Sequence, residues 1–354
     1  MRTMHWVLVT GAGASTALGH PERALPMMAG WAAELRAELE TRRRGLAQAA
    51  GLTEGMDAEA FEEAVGALLR WRSARPLIER FDGVGGPEPG VVPDYIRVHR
   101  EQADARMALI LDAINTTLLR FYNDAAIDTT AATSAYADLL DRLGSPRLTI
   151  ATTNYDPSAE MAIEALGRTP DTGLTSRSGQ RPVLNAEGLI ARSRADDGIV
   201  GILHLHGAAR WYEHHGVIKG HYLAEPFDTT LGPPVVIYPD PGKDPAHVGP
   251  VQALWRELEL ALADADGVLV LGHSLRDPAL VAKLERLDKQ VPLVVSTYGV
   301  DDDERRGELI AAPAELQRLT GLFSRACDVI ALRFGPVPGD GMLGLDRWQR
   351  ERPR

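Results

Sequence analysis

The sequence predicts an α/β protein built on a Rossmann-like, doubly wound parallel sheet with a large helical insertion. Short β-rich runs recur along the chain, and several are continuously apolar, as in strands buried on both faces of a parallel sheet. Helical patterns separate these runs, and strands that alternate with helices favour parallel pairing with right-handed crossovers. One long stretch instead shows helical periodicity without a convincing strand, which indicates the insertion.

The predicted strands are bounded mostly by Gly, Pro, Asn or Asp residues. In chain order they are Trp6–Thr10, Leu148–Thr152, Ile199–His204, Val235–Tyr238, Val268–Leu271 and Leu293–Ser296, with Val329–Arg333 as a candidate seventh. The clearest helix of the sheet domain is Pro250–Ala265, in which Leu254, Leu258 and Leu262 recur at intervals of one helical turn.

These patterns predict three regions. Residues 1–24 and 144–335 form the sheet domain, and residues 25–143 form the helical insertion, where Phe61 and Val65 begin one apolar face and Met107–Phe121 forms another helix. Residues 336–354 form a tail that ends in the basic segment Arg347–Arg354. Disorder and partner docking both remain open for this tail.

Composition narrows the class of protein. The 38 basic and 49 acidic residues give a net charge of −11, which argues against direct binding to nucleic acid or a membrane surface. The single cysteine, Cys327, excludes an intrachain disulfide framework and a zinc site built from four cysteines. No apolar run is long enough to span a bilayer, and the first run is too short for a signal peptide, so we expect a cytoplasmic protein.

The first predicted strand runs into a glycine-rich turn, Gly11–Ser15. Such a turn lets backbone amides at a helix start approach a phosphate, so this loop is either a nucleotide site or an ordinary tight turn. The standard dehydrogenase fingerprint matches poorly, because Thr16 replaces its third glycine and Glu34 lies in a predicted helix.

Polar residues also follow the second and third strands. Thr153, Asn154 and Asp156 come after Leu148–Thr152, and they form either part of a ligand site or a turn with a helix cap. His204 and His206 share a face of an extended strand, so a metal pair is conceivable, but no cysteine or acidic ligand lies near them in the sequence. A histidine followed by Gly207 fits a general base better.

The strand Val268–Leu271 leads into Gly272–Asp277, which begins like the nucleophile elbow of a hydrolase. Arg276 stands where that motif requires its closing glycine, and all ten histidines lie at or before His273, so the order Ser…Asp…His cannot occur. Gly272 and Ser274 still suit phosphate or ribose hydroxyls, and Asp277 can accept hydrogen bonds from a ribose diol.

Together, these strand-end motifs resemble the sirtuin-like family, named for silent information regulator two. The matching pieces are Gly11–Ser15, Thr152–Asp156, His206–Gly207 and Gly272–Asp277, with further likeness in Ile237–Lys243 and the helix that carries Trp255. The resemblance covers about two-thirds of the chain. The deacylases of this family carry a zinc module with four cysteines, which this chain cannot build, so the sequence looks like the bacterial antiphage branch.

That resemblance implies an NAD⁺ glycohydrolase that cleaves NAD⁺ to nicotinamide and ADP-ribose, with NAD as substrate and no metal. By the family's roles, His206 is the general base, and Asn154 positions the ribose or the attacking water. Asp156 either holds the nicotinamide carboxamide or adds negative potential. The remaining predicted NAD contacts are Gly11, Ala12, Gly13, Ser15, Thr153, Gly272, Ser274 and Asp277.

The antiphage branch further implies regulation, because uncontrolled loss of NAD⁺ kills the host cell. We therefore expect a homo-oligomer and a separately encoded sensor or ATPase partner, with activity switched on by assembly. Two other functions remain open: ADP-ribosyl transfer to a macromolecule, and non-catalytic sensing of NAD⁺ or ADP-ribose.

Overall fold

The computed structural model describes residues 3–12, 14, 28–57, 60–68, 94–121, 127–143, 147–176, 180–222, 228–237, 249–273, 275, 277–288, 290–297 and 328–331. The chain divides into two compact units. The first comprises Met1–Leu25, Tyr122–Val236 and Asp244–Arg354, and the second comprises Pro26–Phe121 and Ile237–Lys243.

The strands are numbered in chain order. They are β1 (His5–Thr10), β2 (Arg147–Thr152), β3 (Thr169–Asp171), β4 (Leu174–Thr175), β5 (Val183–Leu184), β6 (Ile199–His204), β7 (Gly207–His214), β8 (Val217–Gly220), β9 (Pro234–Val236), β10 (Gly267–Leu271), β11 (Leu293–Thr297) and β12 (Asp328–Ala331). The helices are α1 (Met28–Arg42), α2 (Leu46–Ala49), α3 (Asp94–Phe121), α4 (Thr129–Arg142), α5 (Ser158–Ala165), α6 (Leu189–Ala195), α7 (Gly249–Ala263) and α8 (Pro278–Glu285).

The first unit is built on a seven-stranded sheet in the order β12-β11-β10-β1-β2-β6-β3. Every neighbouring pair in it is parallel. From the central β1 the chain winds through β2 to β6 on one side and later through β10 to β12 on the other. The predicted doubly wound parallel sheet is confirmed.

The central strand is buried along its whole length, because both faces of the sheet are covered. Its Trp6 and Leu8 belong to a core that includes Leu148 and Ile150 of β2. Helix α4 contributes Ala132, Tyr136 and Leu139 to the same core, and it packs against α5. Helix α4 therefore belongs to the sheet unit, although the sequence placed residues up to 143 in the insertion.

A second, antiparallel sheet has the order β4-β5-β8-β7-β9 and also lies in the first unit. Strand β9 is the counterpart of the predicted run Val235–Tyr238, of which Tyr238 lies outside the described residues. It pairs with β7, where Gly207 lies opposite Val236, and so it is not a strand of the main sheet. Gly207 has a φ of 76°, and a Cβ there would lie 2.1 Å from the carbonyl oxygen of Val235. This close approach requires glycine.

The second unit is helical in its described part and contains α1, α2, the helical residues 60–68 and α3. Trp31 of α1 packs edge-on against Phe61, and its indole nitrogen donates to the Thr117 hydroxyl of α3 at 2.9 Å. Arg42 of α1 also binds Asp112 of α3. In the part of the chain that the structure describes, no helix is both long and apolar enough to cross a membrane.

Candidate active site

Four loops leave the main sheet at one edge, because the strands that precede them end in register. Thr10 of β1 lies beside Thr152 of β2 and Leu271 of β10, and Thr152 lies beside His204 of β6. The hydrogen-bond ladder continues one residue further, since the Thr153 amide donates to the Thr10 carbonyl at 3.1 Å. In open α/β sheets this carboxyl edge is where ligands bind.

Gly11 allows the loop after β1 to pass very close to the loop after β10. A Cβ on Gly11 would lie 2.6 Å from the His273 Cα atom and 2.8 Å from the Gly272 carbonyl oxygen. Gly272 itself has a φ of 56°, a left-handed conformation that favours glycine. Both glycines thus have a structural reason, which is independent of any phosphate.

The other members of the predicted phosphate loop can be placed only in part. Ala12 is exposed, and the amide of Ala14 donates to the Gly11 carbonyl at 2.9 Å, as in a first helical turn. Gly13, Ser15 and Ser274 lie outside the described residues. The phosphate and ribose contacts proposed for this group stay predictions.

Asn154 is half-buried and binds the loop after β1. Its side-chain nitrogen donates to the Gly11 carbonyl at 2.9 Å, and its backbone amide donates to the Thr152 hydroxyl at 3.0 Å. Next to it, the hydroxyl of Thr153 donates to the Thr10 carbonyl at 3.4 Å. These bonds hold Asn154 at the carboxyl edge of the sheet.

Asp156 is buried and organises the start of α5. Its Oδ1 atom accepts hydrogen bonds from the backbone amide of Ser158 at 3.0 Å and from the Ser158 hydroxyl. This is the turn-and-cap arrangement that the sequence left open as an alternative. A contact between Asp156 and nicotinamide stays a prediction.

His204 and Glu160 form a buried pair beneath Asn154. The His204 Nε2 atom lies 2.7 Å from Glu160 Oε1, and Nδ1 lies 3.3 Å from the Asn154 carbonyl oxygen. Burial opposes the charged ring, but the Glu160 carboxylate and the hydrogen bonds to both nitrogens outweigh it, so the pKa of His204 is raised. Acceptors lie at both nitrogens, an arrangement that stabilises the protonated ring.

His206 lies in the turn that joins β6 to β7, and its partner is Asp277. The His206 Nε2 atom is 2.7 Å from Asp277 Oδ2, and both side chains are buried. Oδ1 of Asp277 accepts from the backbone amides of Ala279 and Leu280, at 2.9 and 3.2 Å, and so caps α8. The contact of Asp277 with a ribose stays a prediction, since both of its oxygens already bind groups of the protein.

The two histidines that suggested a metal pair therefore have separate acidic partners, Glu160 for His204 and Asp277 for His206. Among the described residues there is no group of three or more His, Cys, Asp or Glu side chains that could hold a metal ion.

Sequence reasoning named Asp277 as an NAD contact but not as the partner of His206, and it missed Glu160 altogether. Asp277 carried a detectable signal, because an aspartate followed by Pro278 is typical of a helix start, and this one follows a strand that ends at the ligand edge. Glu160 carried none, since it reads as an ordinary first-turn residue of an amphipathic helix.

One family model matches the part of the chain that carries most of these residues. Residues 148–306 match the family model of the SIR2-like domain. The chain contains a SIR2-like domain. The match begins in β2, so this SIR2-like domain includes Asn154, His206 and Asp277, whereas Gly11 lies before the matched range. A search of curated proteins found no match.

SIR2-like domains use NAD as a substrate, which ties this domain to NAD-dependent chemistry. The carboxyl edge of the sheet fits such a ligand in one respect that the structure shows: it brings an amide side chain, Asn154, and an imidazole, His206, to loops of adjacent strands.

Proposed function

We propose that the protein is an NAD⁺ glycohydrolase, which cleaves NAD⁺ and water to nicotinamide, ADP-ribose and a proton. The observation that carries this proposal is the placement of Asn154 and His206 after adjacent parallel strands of a SIR2-like domain, at the edge where α/β sheets bind ligands. The fold alone does not set the reaction, so the proposal rests on these two side chains.

The reaction makes modest demands on the protein. The bond between the ribose and the pyridinium nitrogen breaks through an oxocarbenium-like state, and nicotinamide leaves as a neutral molecule. No leaving-group oxygen needs a proton, so the second carboxylic acid of an ordinary glycosidase is unnecessary. The protein must hold the ribose, stabilise positive charge and accept a proton from water.

The described side chains supply these functions. His206 accepts the proton of the attacking water, since histidine is the side chain that most often acts as a general base in enzymes. Asn154 orients the ribose or the water, since its side chain is fixed by the bond to Gly11. Asp156 adds negative charge near the forming cation.

For the biological role, we propose an antiphage effector that depletes NAD⁺ in the cytoplasm when infection is sensed. A resting cell does not survive uncontrolled NAD⁺ cleavage, so the resting protein is inactive, and formation of a homo-oligomer or binding of a separately encoded sensor or ATPase activates it. The chain has a single cysteine, so it cannot form the zinc module with four cysteines that the deacylases of the family carry. This difference from the deacylases supports the antiphage branch.

The test is release of nicotinamide from NAD⁺ by wild type, Asn154→Ala and His206→Ala, with and without the product of the neighbouring gene. We expect each substitution to lower the rate by about 10²- to 10⁴-fold while NAD⁺ binding is retained. Asp128→Asn is the matched control, because Asp128 caps α4 and is not one of the proposed site residues.

Wild-type rates in both alanine variants would refute the site. Absence of nicotinamide release under every condition would refute the activity. Label from NAD⁺ that ends on a macromolecule, with no free ADP-ribose, would show ADP-ribosyl transfer instead.

A further inference from the structure

We infer that Asp277 is a positioning residue that fixes the tautomer and orientation of His206, an inference that rests on the proposed function for its kinetic part. The two side chains come from elements far apart in the chain, the β6–β7 turn and the start of α8. They nevertheless meet at 2.7 Å in a buried setting, with side-chain exposures of 6% for His206 and 3% for Asp277.

The identity of the partner atom dictates where the ring proton lies. A carboxylate oxygen only accepts hydrogen bonds, so His206 must donate to Asp277 Oδ2 from Nε2. In the neutral ring the basic atom is then Nδ1. His206 consequently accepts a proton from water at Nδ1 and, when charged, keeps its Nε2 proton on Asp277.

The other carboxylate oxygen of Asp277 is hydrogen-bonded as well. Oδ1 accepts from the Ala279 and Leu280 amides, which anchors the carboxylate to the first turn of α8. The carboxylate therefore cannot rotate away from His206 without breaking the helix cap. This ties the orientation of the imidazole to a regular element of the fold.

Trp255 of α7 also lies beside His206. Its indole nitrogen donates to the carbonyl of Leu205, the residue before His206, at 2.9 Å. Its ring centre lies 6.3 Å from that of His206, with the two planes inclined by 35°. Trp255 thus restrains the backbone of the turn while Asp277 restrains the ring.

Asp277→Asn separates the effect on His206 from the effect on the helix. Asparagine caps helices about as well as aspartate. The Ala279 and Leu280 amides require an acceptor in the Oδ1 position, so the new Nδ2 group faces His206 and donates to Nε2. This forces the ring proton to Nδ1 and removes the basic atom from the water.

The experiment measures steady-state nicotinamide release and the state of the imidazole nitrogens by heteronuclear NMR, with His206→Gln used to assign the signal. For Asp277→Asn we expect kcat to fall about 10²- to 10⁴-fold with KM unchanged within about twofold. We also expect the proton of the neutral ring to move from Nε2 in wild type to Nδ1 in the variant.

In Asp277→Ser the serine still caps α8, but its side chain is too short to reach His206. Both tautomers of the neutral ring are then populated, so we expect kcat to fall only about tenfold. Asp128→Asn, the same change at the cap of α4, should alter neither kcat nor the His206 signal.

A wild-type kcat in Asp277→Asn, or a proton on Nδ1 of the neutral His206 ring in the wild-type protein, would overturn the inference. If the wild-type protein releases no nicotinamide, the proposed function fails, and the NMR measurement still decides whether Asp277 sets the tautomer.

Discussion

Loss of the charge on Glu160 should destabilise the fold, because Glu160 stabilises the charged form of the buried His204 ring. The His204 and Glu160 side chains are 0% and 9% exposed, and their atoms lie 2.7 Å apart. Glu160→Gln keeps the shape and an acceptor but exchanges a charge-assisted hydrogen bond for a neutral one, a loss of about 1–2 kcal/mol in the free energy of unfolding. Glu160→Ala leaves the ring without this partner and should cost about 3–5 kcal/mol.

The cost should depend on pH in a direction that follows from the pKa of His204. Burial opposes the charged ring, and Glu160 overcomes this, so the pKa of His204 is raised above its unfolded value of about 6.5. The stabilisation is then complete below about pH 6.5 and is lost as the pH rises through the folded-state pKa. Glu160→Gln should therefore be more damaging near pH 6 than near pH 9.

Urea denaturation followed by circular dichroism at both pH values measures these differences. Glu54→Gln serves as the control, because Glu54 is 87% exposed and its pairing with Arg36 should contribute less than about 1 kcal/mol. A Glu160→Gln cost that is equal at the two pH values, or larger near pH 9, would refute the reasoning. So would a Glu160→Ala protein as stable as the control variant.

Two further predictions concern stability. Burial, and after it the charge of Arg147, lower the pKa of His5 to about 4. As the pH falls, His5 therefore binds a proton in the unfolded chain before it does so in the folded protein. The free energy of unfolding should decrease as the pH drops from about 6.5 towards 4. His5→Gln should reduce that slope by up to about 1.4 kcal/mol per pH unit, measured from urea midpoints. Gly207→Ala should lower the melting temperature far more than Gly216→Ala: both have a positive φ, but only at Gly207 does the new Cβ meet a backbone carbonyl, at 2.1 Å. Equal losses in the two alanine variants would contradict this account.

The main sheet could be predicted because its strands are buried on both faces, which produces continuous apolar runs such as Val7–Val9 and Val268–Leu271. The antiparallel sheet could not, since β4 and β5 have two residues each and β7 mixes small, charged and aromatic residues. Such strands are defined by their partners more than by their own sequence.

The boundary between the two compact units also depends on packing that the sequence does not reveal. The periodicity of α4 correctly indicates a helix, but it does not tell against which surface that helix packs. Its buried face joins Tyr136 and Leu139 to the core of the sheet unit, so the second compact unit ends at Phe121 instead of residue 143.

A single rule about parallel sheets was sufficient to predict which loops lie together at the candidate site. Polar residues that follow parallel strands share an edge, and Asn154 and His206 do so in the structure. The partnership of His206 with Asp277 was not predictable in this way, because it depends on how the turn after β10 orients a side chain towards a residue 71 positions earlier in the chain.

The central claim is that water attacks the ribose of NAD⁺ at this edge of the sheet. Cleavage of NAD⁺ in water enriched in the heavy oxygen isotope, followed by mass spectrometry of the products, tests it most directly. We predict free nicotinamide without label and ADP-ribose that carries one heavy oxygen, with both products formed about 10²- to 10⁴-fold more slowly by His206→Ala. Unlabelled ADP-ribose, or equal product formation by His206→Ala, would contradict the claim.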